Sequence, residues 1–390
     1  MTMDLNRRSL IAGSLALGAA GLTLPNMAFA RGTGHKNLLF VLQRGAADGM
    51  AMVAPVGDPG FAALRPGALQ DYEGARQADS FFAIHPAFDQ VGGAYAQGEA
   101  LFIHAAATSY RERSHFDGQN LIETGAAQPY AVRDGWLNRL IAMVGDGQET
   151  SPPSALAIAP TLPLALRGDA PASSYAPSSL PKASDAFMDR VGMMYREDAQ
   201  LGGLWSRALE TQAMAGDDGL RNLRDARAAG ELAASLMRDE DGARIAMMEL
   251  GGWDTHANQR GAFNRVAGQL DALLGAYRTG MGSAWADTLV IVATEFGRTA
   301  RYNGTNGTDH GTASAALVMG GSVRGGRVMA DWPGLRDGDL YENRDLRPTT
   351  ALESVLAGSI ADHIQLDPQL AMAMLFPGRT GAPTSGLLNG

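Results

Sequence analysis

Four short apolar runs, each followed closely by polar residues, limit what this chain can fold into. The runs are NLLFVL (37–42), ALFIH (100–104), RIAMMEL (244–250) and TLVIVA (288–293). Such continuous runs are typical of strands buried on both faces, as in a parallel sheet covered by helices. Apolar residues at helical spacing fill 263–277, between the last two runs. The sequence therefore predicts an α/β fold with a central, mostly parallel sheet flanked by helices.

The polar residues after these runs are expected to meet. A strand, a helix and a strand joined by short loops form a right-handed crossover, so both strands run the same way. Loops that follow parallel strands open at one edge of the sheet, where ligands bind in doubly wound folds. The residues that follow an apolar run within six positions are Asp48, Asp254, His256 and Glu295.

The rest of the chain divides into a leader and one large domain. Residues 1–30 read as a twin-arginine (Tat) signal peptide, with Asn6-Arg7-Arg8 before a mild apolar run and Ala28-Phe29-Ala30 as the cleavage signal. The alternative is a chance Arg-Arg pair before an N-terminal helix. Residues 31–390 are expected to form one domain, in which about 145–243 is an insertion: 145–190 is loop-rich and 198–243 is helical. This predicts a periplasmic or secreted protein.

Composition excludes several classes of partner and site. The formal net charge is −9 at pH 7, which argues against nucleic acid and anionic membranes as partners. No run is long and apolar enough to span a bilayer, so stable membrane insertion is not expected. The chain has no cysteine, so any metal must be held by oxygen and nitrogen ligands. The sequence implies no oligomeric state.

Four polar clusters concentrate metal-ligand residue types: RSHFDGQ (113–119), GGWDTH (251–256), ATEFGRT (293–299) and GTDHG (307–311). Three of them place a carboxylate within two positions of a histidine, in a chain with seven histidines. Oxygen and imidazole ligands at loop ends are what a hydrolytic metal site needs. Asp254 and His256 would point to one side of an extended segment and share an ion, or would form a hydrogen-bonded pair that closes a loop.

The other acidic and imidazole candidates each have a structural alternative. Glu295 ends an apolar strand and is either a metal ligand or the partner of Arg298 in an ion pair. Asp48 is a ligand or a turn residue. His310 reads as a ligand, and Asp309 as a second ligand or as the group that orients the imidazole.

Ser114 precedes a helix that is expected to run to about Glu123. With Asp117 three residues later, it reads as the start of a capping box. A hydroxyl at a helix N-terminus near a metal is also an activated nucleophile. Arg111, Arg113 and His115 surround this serine with positive or potentially positive charge, which suits an anionic substrate. The other histidines are interpreted as structural: His35, His85, His104 and His363.

The motifs RGAADGM, RSHFDGQ, GGWDTH, TEFGRT and GTDHG together resemble those of a Tat-exported bacterial family known as domain of unknown function 1501 (DUF1501). That family is similar to the alkaline phosphatase superfamily, which includes sulfatases and cofactor-independent phosphoglycerate mutases. The resemblance implies an alkaline phosphatase-like fold and one or two divalent ions, zinc, manganese or calcium. It also implies that Ser114 occupies the nucleophile position.

The same resemblance assigns the ligands. Asp254, His256 and His310 correspond to the first metal site, and Asp48 and Glu295 to the second. Phe296 stands where the superfamily has a histidine, which leaves open whether His115 replaces that ligand. The chain lacks a Cys/Ser-x-Pro-x-Arg sequence, which argues against formylglycine-type sulfatase chemistry.

The sequence thus predicts a metal-dependent hydrolase of a small anionic ester, a phosphate before a sulfate. Ser114 would attack the ester or orient the attacking water, with His115 beside it. Arg44 or Arg113 would clamp the anionic substrate. Two alternatives remain: a non-catalytic exported protein that uses the fold for binding or assembly, and a purely structural ion.

Overall fold

A nine-stranded sheet forms the centre of the part of the chain that the computed structural model describes, residues 36–144, 155–177, 183–196, 198–215 and 223–389. The strands in chain order are β1 (Asn37–Gln43), β2 (Val53–Ala54), β3 (Ala83–Ile84), β4 (Ala100–Ala107), β5 (Ala155–Ile158), β6 (Ser173–Tyr175), β7 (Ile245–Leu250), β8 (Thr288–Thr294), β9 (Ser314–Gly320), β10 (Arg327–Met329) and β11 (Thr350–Ala351). The central sheet has the order β10-β4-β9-β8-β1-β7-β5-β6, with β11 beside β4, whereas β2 and β3 pair separately.

Helices cover both faces of this sheet. They are α1 (Gly49–Met52), α2 (Pro59–Leu64), α3 (Asp89–Ala96), α4 (His115–Thr124), α5 (Trp136–Val144), α6 (Asp185–Tyr195), α7 (Ala199–Ala215), α8 (Ala226–Met237), α9 (Gln259–Met281), α10 (Leu352–Ile364) and α11 (Pro368–Leu375). Short 3-10 turns lie at Ala68–Tyr72, Leu164–Leu166 and Gly282–Asp287.

Strand β1 shows why the apolar runs are continuous. All seven of its residues are buried. Leu39 and Val41 pack into a core with α3, α8 and α9, while Phe40 and Leu42 pack into a second core with α5, α10 and α11. Alternate side chains point to opposite faces of a strand, so covering both faces removes the polar positions. The predicted α/β architecture is confirmed.

Strand direction sets where the loops open. Neighbouring strands of the central sheet are parallel except β9, which is antiparallel to both β4 and β8. The carboxyl ends of β1, β4, β7 and β8 therefore lie at one edge, together with the first residue of β9. The parallel arrangement expected for 244–250 and 288–293 is confirmed, since β7 and β8 both pair with β1 in parallel.

The expectation of loop over 145–190 is wrong where β5 and β6 extend the sheet. These strands have only four and three residues, ALAI and SSY, and lack the length and β-branched content that mark a strand. Helices α7 and α8 lie in the stretch expected to be helical, and α8 contributes to the core beneath α9.

The proposed Tat signal peptide, residues 1–30, lies outside the described residues and stays a prediction, as does the reading of His35. Within the described ranges, none of the helices is long and apolar enough to cross a membrane.

The remaining three histidines interpreted as structural are buried: His85, His104 and His363. For His104, Nε2 lies 2.9 Å from the carbonyl oxygen of Val53, and Nδ1 accepts the N–H of Ala105 at 2.8 Å. The neutral ring satisfies both contacts with one N–H and one lone pair. Burial lowers the pKa of His104 to about 4.

The lowered pKa of His104 predicts how the free energy of unfolding changes with pH. Between pH 6.5, the usual histidine value, and about 4, the unfolded chain binds a proton at residue 104 that the folded chain does not. The free energy of unfolding should therefore fall as the pH drops through this window. His104→Gln should lower stability at neutral pH but make the slope of melting temperature against pH shallower than in the wild type. An unchanged slope would contradict the assignment.

Candidate metal centre

Three histidine side chains converge at the sheet edge where the parallel strands end. His115 begins α4 after β4, His256 follows β7, and His310 lies just before β9. The Nε2 atom of His310 is 3.0 Å from Nε2 of His115 and 3.1 Å from Nε2 of His256. His310 reaches the group from the start of a strand because β9 is antiparallel to its neighbours.

Asp254 completes the group. Its Oδ1 lies 2.9 Å from Nε2 of His256 and 3.1 Å from Nε2 of His310, and its Oδ2 lies 3.6 Å from Nε2 of His115. One ligand atom each from His115, Asp254 and His310 lies within 4.8 Å of the other two, close enough to share an ion. We call the four residues His115, Asp254, His256 and His310 the metal centre.

The second nitrogen of each ring determines the proton positions. Each Nδ1 lies beside an oxygen: Glu295 Oε1 at 2.9 Å for His115, Asp309 Oδ1 at 3.2 Å for His256, and the Arg113 carbonyl at 3.0 Å for His310. The Nε2 atoms also lie near the Asp254 carboxylate, so a cation at Nε2 decides the tautomer. With an ion there, the oxygen opposite Nδ1 holds the proton on Nδ1, as in the carboxylate–histidine pairs around metals. All three Nε2 lone pairs then point into the centre, so the donor set fits a cation.

Glu295 lies behind His115 and is fully buried. Its Oε1 accepts the N–H of Gly45 at 2.9 Å and the amide of Gln119 at 3.0 Å, besides facing His115. The Thr294 hydroxyl lies 2.9 Å from Oε2. Burial acts to raise the pKa of Glu295, but these hydrogen bonds bring it below its usual value. The side chain is therefore an ionised group that orients His115, and a ligand role would require it to give up these bonds.

Arg298 does not pair with Glu295, the partner that the sequence allowed. Its guanidinium donates to Asp254 Oδ1 and to Thr308. Burial acts to raise the pKa of Asp254, but Arg298, together with His256 and His310, holds that pKa below its usual value. Asp254 is therefore kept as a carboxylate without any bound ion.

Asp48 engages a different group. Arg65 donates to its two oxygens at 2.8 and 3.1 Å, Gln259 donates at 2.7 Å and the N–H of Ala51 at 3.2 Å. Both Asp48 and Arg65 are buried. Four hydrogen bonds occupy the lone-pair positions of the carboxylate, so the second-ion role expected of Asp48 would require this ion pair to break.

Phe296 supports two of the centre's imidazole rings. It is buried, stacks on His115 with ring centroids 5.0 Å apart at 25°, and lies 5.4 Å from the ring of His310. The Phe296 ring thus packs beside the centre and fixes the positions of these two imidazoles.

Ser114 is the N-cap residue of α4, but its side chain makes no capping hydrogen bond, so the predicted capping box is wrong. Its N–H donates to the hydroxyl of Tyr110 at 3.2 Å, and that hydroxyl donates to Asp117 at 3.1 Å. Gly125 ends the helix in the left-handed conformation, close to the predicted end at about Glu123.

Both arginines expected to bind substrate are held by carboxylates. Arg44 pairs with Glu123 and Glu249. Arg113 pairs with Glu342 and Asp345.

Gln119 is a supporting residue that the sequence reasoning missed. It lies four residues after His115, on the same face of α4, and both side chains contact Glu295 Oε1. The i, i+4 spacing of His115 and Gln119 was the available signal.

One side of the centre faces solvent. The side chains of Asp254 and His256 are 42% and 48% exposed, whereas Glu295 behind them is buried. A closed structural ion would be enclosed by its ligands, but an open side leaves room for a substrate.

The structure is similar to several solved proteins at low identity. A protein in the alkaline phosphatase superfamily from Vibrio parahaemolyticus is 12% identical, with a TM-score of 0.33; 75% of this chain and 62% of that chain are covered, so the match spans less than two thirds of it. A phosphonate monoester hydrolase from Silicibacter pomeroyi is 10% identical, with a TM-score of 0.39 and coverage of 85% and 74%. The alkaline phosphatase from the Antarctic bacterium TAB5 is 11% identical, with a TM-score of 0.34 and coverage of 73% and 91%.

No curated protein matches the chain. A family model described as "Protein of unknown function (DUF1501)" matches residues 104–374, a range that includes all four residues of the metal centre: His115, Asp254, His256 and His310. Since this match covers more than half of the sequence, the chain belongs to the DUF1501 family.

Proposed function

We propose that this protein is a metal-dependent hydrolase of phosphate esters, with sulfate esters as the second choice. One observation carries the proposal: three imidazole Nε2 atoms and the Asp254 carboxylate converge, while each Nδ1 already faces an oxygen. Lone pairs about 3 Å apart repel one another unless a cation or an extra proton lies between them. The open side of the centre favours a catalytic ion over a structural one.

The donor set selects the type of metal. Three nitrogens and one carboxylate suit zinc or manganese, whereas calcium prefers a shell of oxygens. His115, His256, His310 and Asp254 would hold a single ion. When bound, a divalent ion supplies Lewis-acid stabilisation of the charge that develops on the phosphoryl oxygens.

Ser114 is the proposed nucleophile. It directly precedes His115, and its hydroxyl is not used in a cap bond. The N-terminus of α4 places a partial positive charge beside that hydroxyl, which favours its ionised form during attack on phosphorus. Glu295 and Asp309 keep the imidazoles oriented, and Arg298 keeps Asp254 ionised.

A binding or assembly role is the second candidate. The observation that favours it is that Arg44 and Arg113 each pair with two carboxylates, so a substrate anion would have to displace one of them.

Metal binding tests the centre. Metal-stripped protein titrated with zinc should bind one ion, measured by calorimetry and elemental analysis. His310→Ala should abolish tight binding, and Glu295→Gln should weaken it about 10–100-fold because His115 loses its orienting carboxylate. Asp337→Asn, at an exposed carboxylate, is the control and should bind like the wild type. Unchanged affinity in His310→Ala would refute the centre.

A substitution at Asp48 distinguishes a structural ion pair with Arg65 from a second metal site. Asp48→Ala should lower the free energy of unfolding by about 3–5 kcal/mol, because it leaves the buried Arg65 charge unpaired. The zinc stoichiometry should stay the same. Loss of a second bound ion in this variant would restore the ligand role that the sequence suggested.

Turnover tests the chemistry. The zinc- and manganese-loaded protein should hydrolyse an aryl phosphate, and Ser114→Ala should lose at least 100-fold in kcat while it binds metal normally. Aryl sulfate and a phosphodiester serve as competing substrates. Full metal occupancy without turnover of any ester would favour the binding role instead.

A further inference from the structure

A cavity of about 180 Å³ lies between residues 299–303 and the turn at 340–344. The side chains that matter on its wall are Arg301, Tyr302, Asn303, Asp309, Asn343 and Arg344. Its volume equals that of about six water molecules and is below the ~300–1,000 Å³ of pockets that enclose a drug-sized ligand. The cavity therefore has room for a substituent of a larger molecule.

This cavity adjoins the metal centre. Asp309 lines it, and the Oδ1 atom of Asp309 lies 3.2 Å from Nδ1 of His256. The amide of Asn303, also on the wall, donates to the same oxygen at 3.0 Å. One side chain thus separates the cavity from a proposed metal ligand.

The charge on the wall favours an anion. The side chains of Arg301 and Arg344 are 60% and 40% exposed, and Arg344 donates one hydrogen bond to the buried Asp345 at 2.9 Å. Arg301 makes only a loose contact with Asp337, 3.7 Å away and itself mostly exposed, which holds the guanidinium weakly. Asp309 is the one carboxylate on the wall, and it is already engaged by His256 and Asn303. Arginine binds carboxylate, phosphate and sulfate groups through two parallel hydrogen bonds.

The turn that carries Arg344 is held in a demanding conformation. Glu342 and Asn343 both have φ of 53°, in the left-handed region that residues other than glycine rarely adopt. Paired backbone hydrogen bonds between Tyr341 and Asp345, at 2.9 and 3.0 Å, close the turn. Backbone strain of this kind persists where the surroundings fix the geometry.

Asp345 connects this turn to the metal centre. It is buried, its Oδ1 accepts a hydrogen bond from Arg344 at 2.9 Å, and its Oδ2 accepts one from Arg113 at 2.9 Å. The carbonyl of Arg113 in turn lies 3.0 Å from Nδ1 of His310. One carboxylate therefore fixes both a cavity arginine and the segment that orients His310.

We propose that this cavity is a subsite for a second anionic group on the substrate, a carboxylate, phosphate or sulfate on the part that does not react. Arg344 and Arg301 are the specificity-determining residues. The substrate class is then an ester that carries at least two negatively charged groups. This inference rests on the proposed function for the reacting ester, whereas the subsite is defined by its own residues.

The test uses ligands that are not hydrolysed, so that binding is measured without turnover. The zinc-loaded full chain is titrated calorimetrically with phenylphosphonate and with its 3- and 4-carboxy derivatives. We expect one carboxy derivative to bind the wild type about tenfold more tightly than phenylphosphonate does. Arg344→Ala and Arg301→Ala should each lose this preference, and Arg301→Ala, which touches no residue of the metal centre, should keep the affinity for phenylphosphonate. Arg265→Ala, at an exposed arginine of α9, is the control and should behave like the wild type.

The possible outcomes separate the two proposals. Two results overturn the subsite and leave the proposed hydrolysis standing. One is that phenylphosphonate binds as tightly as both carboxy derivatives. The other is that the preference for a carboxy derivative survives in Arg344→Ala and Arg301→Ala. A zinc-loaded protein that binds none of the three phosphonates overturns both. Arg301→Ala guards against misfolding, because Arg301 is exposed and has no close ion-pair partner.

Discussion

The positions of the other side chains in the site depend on the close approach of three imidazole rings. Nε2 of His310 lies 3.0 and 3.1 Å from the Nε2 atoms of its two neighbours, and every Nδ1 faces an oxygen. With the Nδ1 protons in place, the lone pairs of His115, His256 and His310 face one another, and only a cation or an extra proton relieves the repulsion. Glu295 and Asp309 stabilise this otherwise unfavourable arrangement, because each accepts a hydrogen bond from Nδ1 of one ring.

The sheet explains how residues so distant in sequence reach one place. Parallel strands bring the ends of β4, β7 and β8 to one edge, and for β7 and β8 the apolar runs and the crossover rule predicted this. His310 belongs to no such strand end. It arrives because β9 is antiparallel to both neighbours, so a segment that precedes β9 lies beside segments that follow the others. The direction of a strand in a mixed sheet is set by its pairing with neighbouring strands. The residues around His310 therefore could not predict that β9 runs antiparallel.

Features that depend on local contacts could be predicted from the sequence, whereas features that depend on distant contacts could not. Helix α4 and its end at Gly125 were predictable because propensity and capping act over a few residues. The short β5 and β6 were missed because their placement depends on pairing with β7. The sequence singled out Glu295 as a buried carboxylate that needs a partner. It could not identify His115, the ring that Glu295 orients, because His115 is 180 residues away. Nothing in the sequence around Arg65 marked it as the partner of Asp48.

The occupied carboxylates bear on the number of ions. A carboxylate offers about four lone-pair positions; Asp48 faces four protein donor contacts, and Oε1 of Glu295 alone faces three. A second ion held by these two groups would have to displace charge-assisted hydrogen bonds in a buried setting, where their loss is most costly. Asp254 differs, because it is half-exposed and faces three imidazoles. These contacts therefore support the proposal of a single ion at the metal centre, next to the cavity that Arg344 and Arg301 line.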